Sequence, residues 1–229
     1  MRALVIAAGK GSRMGSLTKD EPKPLIRLLG LSLVERVILT AKEVGIDEFV
    51  IVIGHRGKRI KEKLGDGSKF GVKIAYIENT EWERGNGVSV LKAKESFKEN
   101  FILLMSDHIF DSRILRGLID YDLKDPVILA VDRREPLPGD TKVLEKKGKI
   151  AEIGKDIEKA NCIDTGIFLC SPKIFSYIEE TVFLVPVGKK PEVLTAEHKE
   201  KCPECRDERP NWEILGPPDE YTKSKLELK

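Results

Sequence analysis

At 229 residues, 41% hydrophobic and 34% charged, the chain is long enough for one α/β domain with a substantial core and falls in the soluble, ordered class. A formal charge of +2 excludes a nucleic-acid grip driven by bulk charge, and no apolar run approaches the length that crosses a bilayer, so neither nucleic acid nor a membrane span is expected. The sequence opens straight into strand-like residues with no apolar leader, which gives the expectation of a cytoplasmic protein, and glutamine is absent while lysine and glutamate abound, a bias typical of heat-loving hosts.

The first expected strand is RALVIA, residues 2–7. It feeds a loop, AGKGSRMG, in which Gly9 and Gly11 leave backbone N–H groups unhindered while Lys10 and Arg13 add two cations. Such a loop suits an anion, above all a polyphosphate. Two familiar phosphate loops do not fit. A Walker A loop needs a glycine, four intervening residues and then Gly-Lys-Ser/Thr, and the dinucleotide fingerprint needs a glycine where Met14 stands, Gly15 arriving one place late. Beyond the loop comes DEPKPLIRL. Pro22 and Pro24 fix the backbone on both sides of Lys23, so this lysine is presented stiffly and suits a charge to be neutralised at a set point; a solvated surface lysine is the plainer reading.

Alternation of apolar strands with amphipathic helices follows. SLVERVILTAKEVG opens with Ser32 and Glu35 at capping-box spacing, then EFVIVI is a strand, RGKRIKEKLG a helix and VKIAYIE a strand. NGVSVLKAKESF is helical, FILLMS a strand, SRILRGLIDYD a helix and VILAVD a strand. Apolar strands of this kind make a mostly parallel sheet covered by helices on both faces, with ligands beyond the carboxyl ends of the strands. Asp107 follows FILLMS at such an end, where a carboxylate can hold Mg²⁺; a helix cap or turn is the alternative. For His108, a structural hydrogen bond and a site role both stand open. Between VKIAYIE and the next helix, Gly85 and Gly87 permit close approach of a flat base, and Asn86 carries both a donor and an acceptor; a capped helix start explains the same residues.

After residue 133 the pattern changes. TKVLEKKGKIAEIGK reads as a hairpin with a Lys-Gly turn, IDTGIFLC as a strand and SPKIFSYIEE as a helix, while Cys162 and Cys170 sit in strand-like sequence as buried thiols. Periodicity fades over 182–217, and DEYTKSKLEL reads as helical. Cys202 and Cys205 form a lone C-x-x-C, two of the four ligands a structural zinc needs. The domain expectation is a single unit over 1–229 with 182–217 an irregular segment.

LVIAAGKGSRM with PKPL resembles the signature of the nucleotidyltransferases that make NDP-sugars and NDP-alcohols. The resemblance implies a Rossmann-like domain, a mixed, mostly parallel sheet, and Mg²⁺-dependent release of pyrophosphate. It implies that the loop Ala8, Gly9, Lys10, Gly11 and Ser12 wraps a triphosphate, that Arg13 and Lys23 neutralise it, that Asp107 is the metal ligand, and that Asn79, Gly85, Asn86 and Ser89 border the base. The stretch from Asp140 to Cys170, with Ile-Gly-Lys-Asp and then Asp-Thr-Gly-Ile-Phe, is similar to CTP:inositol-1-phosphate cytidylyltransferases. On that likeness Lys155 meets the acceptor phosphate, Asp164, Thr165 and Gly166 border a polyol pocket, and Asp132 and Lys142 are further pocket candidates, surface charges being the alternative. CTP and inositol 1-phosphate are then the substrates, with a homodimer and functional coupling to a CDP-inositol-using enzyme as partner expectations. This group also supplies a precursor of an inositol-based solute in heat-loving organisms.

The family's tail motif departs at WEILGPPDEY. Ile214 and Gly216 occupy places where the family carries aspartates, one of them a second metal ligand. Either one ligand suffices, or Asp219 or Asp164 takes the part, or the segment is a diverged or frame-shifted reading of the gene. Three alternatives follow: transfer of another nucleotide to a sugar 1-phosphate, an inactive nucleotide-binding module, and an NAD(P)-binding domain, which Arg13 and the late Gly15 disfavour.

Overall fold

A computed structural model describes residues 1–11, 21–184 and 213–215. Its nine-stranded sheet contains β1 (Arg2–Ala7), β4 (Glu48–Ile53), β5 (Lys73–Glu78), β6 (Phe101–Met105), β7 (Val127–Asp132), β8 (Lys142–Lys146), β9 (Lys149–Gly154), β10 (Cys162–Cys170) and β11 (Glu213–Leu215). A separate two-stranded hairpin joins β2 (Arg27–Leu28) to β3 (Leu31–Ser32). The strand order is β5-β4-β1-β6-β10-β7-β11-β9-β8. From β5 to β6 all pairings are parallel, β10 then runs antiparallel between β6 and β7, and β8 and β9 form an antiparallel hairpin.

The parallel half is apolar on both faces, and β1 shows why. Ala3, Val5 and Ala7 enter one core while Leu4, Ile6 and Ala8 enter the other. Helices α1 (Leu33–Lys42), α2 (Gly57–Leu64) and α4 (Ser112–Ile119) bury Val34, Val37, Ile60, Leu64, Leu115 and Leu118 in the first core. Helices α3 (Asn86–Lys92) and α5 (Ile174–Leu184) cover the second through Val90, Ile174 and Phe175, with Phe101 between Phe97 and Phe175 at ring separations of 4.3 and 5.5 Å.

Local chemistry sets the boundaries. The Ser32–Glu35 capping box forms: Ser32 N and Ser32 Oγ each donate to Glu35 Oε2 at 2.8 Å. Burial pushes the Glu35 carboxyl up, and these two bonds together with Lys63 and Lys69 outweigh it, so its pKa lies below the ordinary value. Asp111 caps α4 by accepting from Arg113 N. Lys147 and Gly148 turn the β8–β9 hairpin, both at positive φ (55° and 78°), as a tight right-twisted hairpin requires. Cys162 and Cys170 are buried free thiols.

Some elements carry no sequence signal of their own. At the two ends of 182–217, α5 runs to Leu184, and Glu213–Leu215 forms β11, parallel to β7 and joined to β9 through Glu213 and Lys149. Three residues are too few to show periodicity, and only the open sheet positions beside β7 and β9 define that strand. The β2–β3 hairpin was likewise invisible, at two residues per strand. The helix expected over DEYTKSKLEL and the Cys202–Cys205 pair lie outside the described residues.

Candidate active site

The carboxyl ends of β1, β4 and β5 are stitched together by backbone. His55 N donates to Ala8 O at 2.9 Å, and Asn79 N donates to Ile53 O at 2.8 Å. Gly54 lies where no side chain fits, since a Cβ there would stand 2.8 Å from both Ala8 O and Trp82 Cβ. The His55 and Trp82 rings are tilted at a centroid distance of 5.1 Å. The start of the glycine loop therefore rests on a close-packed base, while Gly9 itself has open space around it and Gly11 takes φ +68°. Lys10 is exposed. Ser12 and Arg13 lie outside the described residues.

Lys23 is held as the prolines demand. Pro22 is extended, at φ −65° and ψ 144°, and Lys23–Leu25 forms one 3-10 turn, with Leu25 N donating to Pro22 O at 2.8 Å. From this turn Lys23 Nζ pairs with Asp107 Oδ2 just beyond β6. The side chains of Lys23 and Asp107 are only 27% and 22% exposed, so the pair is semi-buried. On the other side His108 Nδ1 lies 3.1 Å from Asp107 Oδ1. That nitrogen is enclosed and meets no partner in full hydrogen-bond geometry, so its approach to the carboxylate is a close polar contact. Burial pushes the Asp107 carboxyl up, but the neighbouring His108 and Lys23 more than reverse this and hold it well below the usual carboxylate range.

Asp107 is thus an ionised hard-oxygen donor that already attracts a cation. No group of three or more acidic, His or Cys side chains converges on a metal position among the described residues. This donor set fits Mg²⁺, which needs one or two carboxylates and takes its other oxygens from substrate phosphates and water. It does not fit an ion held by protein alone.

The expected base-binding loop divides into a rigid part and an open part. Asn79 is fully buried; its Nδ2 donates to Ser89 Oγ at 2.9 Å, and its Oδ1 accepts from Glu81 N at 2.9 Å. Both polar ends of the side chain are engaged, so Asn79 and Ser89 brace the loop between β5 and α3. Gly85, at φ +103° with nothing within 4 Å of a would-be Cβ, leaves room for a flat ligand. Asn86 follows it, exposed, its Nδ2 3.9 Å from Met105 Sδ at the end of β6.

On the acceptor side, β10 runs between β6 and β7, and its register with β7 is irregular between Asp164 and Phe168. Asp164 Oδ1 accepts from Gly166 N at 2.6 Å, and Thr165 Oγ1 donates to Ala130 O at 2.5 Å. Burial pushes the Asp164 carboxyl up, only partly offset by Gly166 N and His108. Gly166, at φ +71°, packs beneath His108 and Met105. Ile163 pairs with Asp132 on one side and Lys142 on the other, which brings those two residues to this end of β10. Asp132 is occupied by Arg134, whose N donates to Oδ1 at 3.0 Å, and Lys142 Nζ donates to Ile157 O at 3.1 Å. Lys155 follows β9 and is exposed.

One rim therefore carries Lys23, Asp107, His108, Asp164, Thr165 and Gly166, with the glycine loop and the Gly85–Asn86 opening along the other strand ends. Sequence reasoning passed over Gly54, His55 and Trp82. The signal was the Gly-His pair directly after EFVIVI, a glycine at a strand end beside the phosphate loop.

The model of the MobA-like NTP transferase domain matches residues 3–216. The "Bifunctional IPC transferase and DIPP synthase" of Rubrobacter xylanophilus is 36% identical over 182 residues, 78% of this chain and 40% of that protein. Its namesake from Aquifex aeolicus is 32% identical over 183 residues, 79% of this chain and 41% of the relative. The chain thus spans about two-fifths of the length of these curated relatives. Among solved structures, the inositol-1-phosphate CTP transferase from T. maritima superposes with a TM-score of 0.72 at 28% identity, over 93% of this chain and 84% of that one.

Proposed function

The chain belongs to the MobA-like NTP transferase family, and on that premise we propose that it transfers the cytidylyl group of CTP to inositol 1-phosphate, giving CDP-inositol and pyrophosphate. The observation that carries the choice of substrates is the likeness to the inositol-1-phosphate CTP transferase over 93% of the chain. The rim geometry supports it: the start of the glycine loop, a semi-buried cation–carboxylate pair and a carboxylate-bearing turn stand at the strand ends.

In this reading an acceptor phosphate oxygen forms a bond to the α-phosphorus of CTP. The bond from that phosphorus to the bridging oxygen breaks, and pyrophosphate leaves toward the glycine loop. Both substrates are anions, so their mutual repulsion is the first barrier. Ala8–Ser12 donate backbone N–H groups to the triphosphate, and Lys10, Arg13 and Lys23 neutralise it. Gly85 and Asn86 take the base, with Asn79 and Ser89 bracing their loop. Asp107 would hold Mg²⁺, which supplies charge neutralisation between the two phosphates. Lys155 and Lys142 draw in the acceptor phosphate, while Asp132, Asp164, Thr165 and Gly166 border the polyol. A phosphate monoester is already nucleophilic, so no general base is required; the residues work by positioning and charge stabilisation. A CDP-inositol-using enzyme is the proposed functional partner.

Pyrophosphate release in Mg²⁺, across CTP, UTP, dTTP, GTP and ATP, each with inositol 1-phosphate and glucose 1-phosphate, tests this. Release confined to CTP with inositol 1-phosphate is expected, and would mean that aspartates at 214 and 216 are dispensable. Release with glucose 1-phosphate replaces the acceptor. Silence in every pair with CTP still bound overturns the enzyme in favour of an inactive nucleotide-binding module.

A further inference from the structure

We propose that His108 binds the phosphate of the acceptor, and that Gly166 is glycine because it seats this imidazole. The inference rests on the nucleotidyltransferase reading and adds to it a residue and its mount.

The first observation is an imprint. A Cβ on Gly166 would stand 2.8 Å from His108 Nδ1, 3.0 Å from His108 Cε1 and 2.8 Å from Met105 Cγ. Real Cβ atoms do not approach ring or chain atoms so closely, and φ +71° disfavours a side chain there as well. The backbone of β10 thus comes as near to the ring as a chain can. The same turn is tied by Gly166 N donating to Asp164 Oδ1 at 2.6 Å, so what presents Asp164 also backs the imidazole.

The second observation is the ring's direction. Nδ1 is enclosed, lies 3.1 Å from Asp107 Oδ1 and makes no aligned hydrogen bond. Yet the side chain is 44% exposed. The exposed surface therefore belongs to the rest of the ring, whose edge away from Nδ1 carries Nε2. A ring wedged at its back by glycine and flanked by a carboxylate offers a nitrogen of fixed direction to whatever enters between Asp107 and Asp164. Two carboxylates repel an anion unless a donor stands between them. His108 lies against Asp107 and against the Gly166 that Asp164 holds, and its chemistry suits a phosphate oxygen better than a neutral hydroxyl alone.

The test uses the full chain and its three histidines, few enough for ring NMR signals to be assigned with His108→Asn. At fixed pH with CTP bound, inositol 1-phosphate is expected to shift the His108 ring signals while free inositol leaves them in place. In steady state, His108→Ala and Gly166→Ala are expected to raise the acceptor KM by about tenfold or more, with the CTP KM within about twofold, the loss of one charge-assisted hydrogen bond. His108→Asn, which keeps a donor, recovers part of this. His108 signals unmoved by the acceptor, or both KM values moving together, overturn the proposal. If glucose 1-phosphate proves to be the acceptor, the substrate reading fails and the same comparison is made with that compound. If no pair turns over, inorganic phosphate replaces the acceptor in the NMR titration; a selective His108 shift supports the site and an unmoved ring refutes it.

Discussion

Replacing Lys23 with methionine should push two measurements in opposite directions. Lys23 Nζ occupies Asp107 Oδ2, so any metal bound there must first displace the ammonium group. Both side chains are roughly a quarter exposed (27% and 22%), between the surface regime, where ion pairs contribute about 0–1 kcal/mol, and the buried regime, where breaking one costs about 3–5 kcal/mol. A competition of about 1.5 kcal/mol lies between those two regimes, and it weakens metal binding about tenfold. In Lys23→Met, Mn²⁺ should therefore bind the nucleotide-free protein about tenfold more tightly, read by electron paramagnetic resonance of the free ion. Turnover in the pyrophosphate assay should meanwhile fall by about 10²–10³, because the cation aimed at the triphosphate is gone. The double variant Lys23→Met/Asp107→Asn should lose the gained Mn²⁺ affinity, which locates the effect. Unchanged or weaker Mn²⁺ binding in Lys23→Met would refute the argument that the lysine stands in the metal's place.

Asn79→Ala should lower stability by about 2–3 kcal/mol in urea unfolding, since it strands the buried Ser89 hydroxyl and the part-buried Glu81 N–H; Ser89→Ala should lose less, and the pair should be coupled by about 1 kcal/mol in a double-mutant cycle. Gly54→Ala should drop stability by about 1–3 kcal/mol and raise the CTP KM, because its Cβ collides with Ala8 O and Trp82 Cβ beneath the glycine loop. Asp164 has a raised folded pKa, so its ionisation opposes folding once pH exceeds the ordinary carboxylate value; Asp164→Asn should melt higher at pH 7 while acceptor KM worsens, and an unchanged melting temperature would contradict that sign. Asp107 has the opposite sign: its contribution is full above the unfolded value of about 3.8 and fades as pH falls through the lower folded value, so the stability gap between the protein and Asp107→Asn should close in acid.

The parallel half of the fold was legible because each of its strands is a continuous apolar run bounded by turn residues, and each helix carries its own periodic face. The capping box at Ser32 and the Lys-Gly turn were legible for the same reason: their chemistry is complete within four residues. What escaped is non-local. Glu213–Leu215 becomes a strand only through β7 and β9, and Gly54 is a glycine because of Ala8 and Trp82, contacts that no window of sequence contains. At the site, the stiff presentation of Lys23 between its prolines was readable, but its pairing with Asp107 was not, since β4, β5 and β6 lie between the two in the chain. Asn79 and Ser89 were singled out for the base; their side chains are spent on each other, and the open ground is at Gly85 and Asn86.

The position of β11 bears on how the chain is made. On a ribosome that adds about 5–20 residues each second, β7, the β8–β9 hairpin and β10 all emerge several seconds before residues 213–215. Until then the slot between β7 and β9 is an open seam with unpaired backbone on both lips, the kind of edge that recruits strands from other chains. The short clasp of β8 onto β10, Val143 to Cys162 and Lys142 to Ile163, holds the hairpin near its final place during that interval. Substitutions that loosen this clasp should therefore lower the yield of folded protein from synthesis more than they lower the stability of the finished molecule.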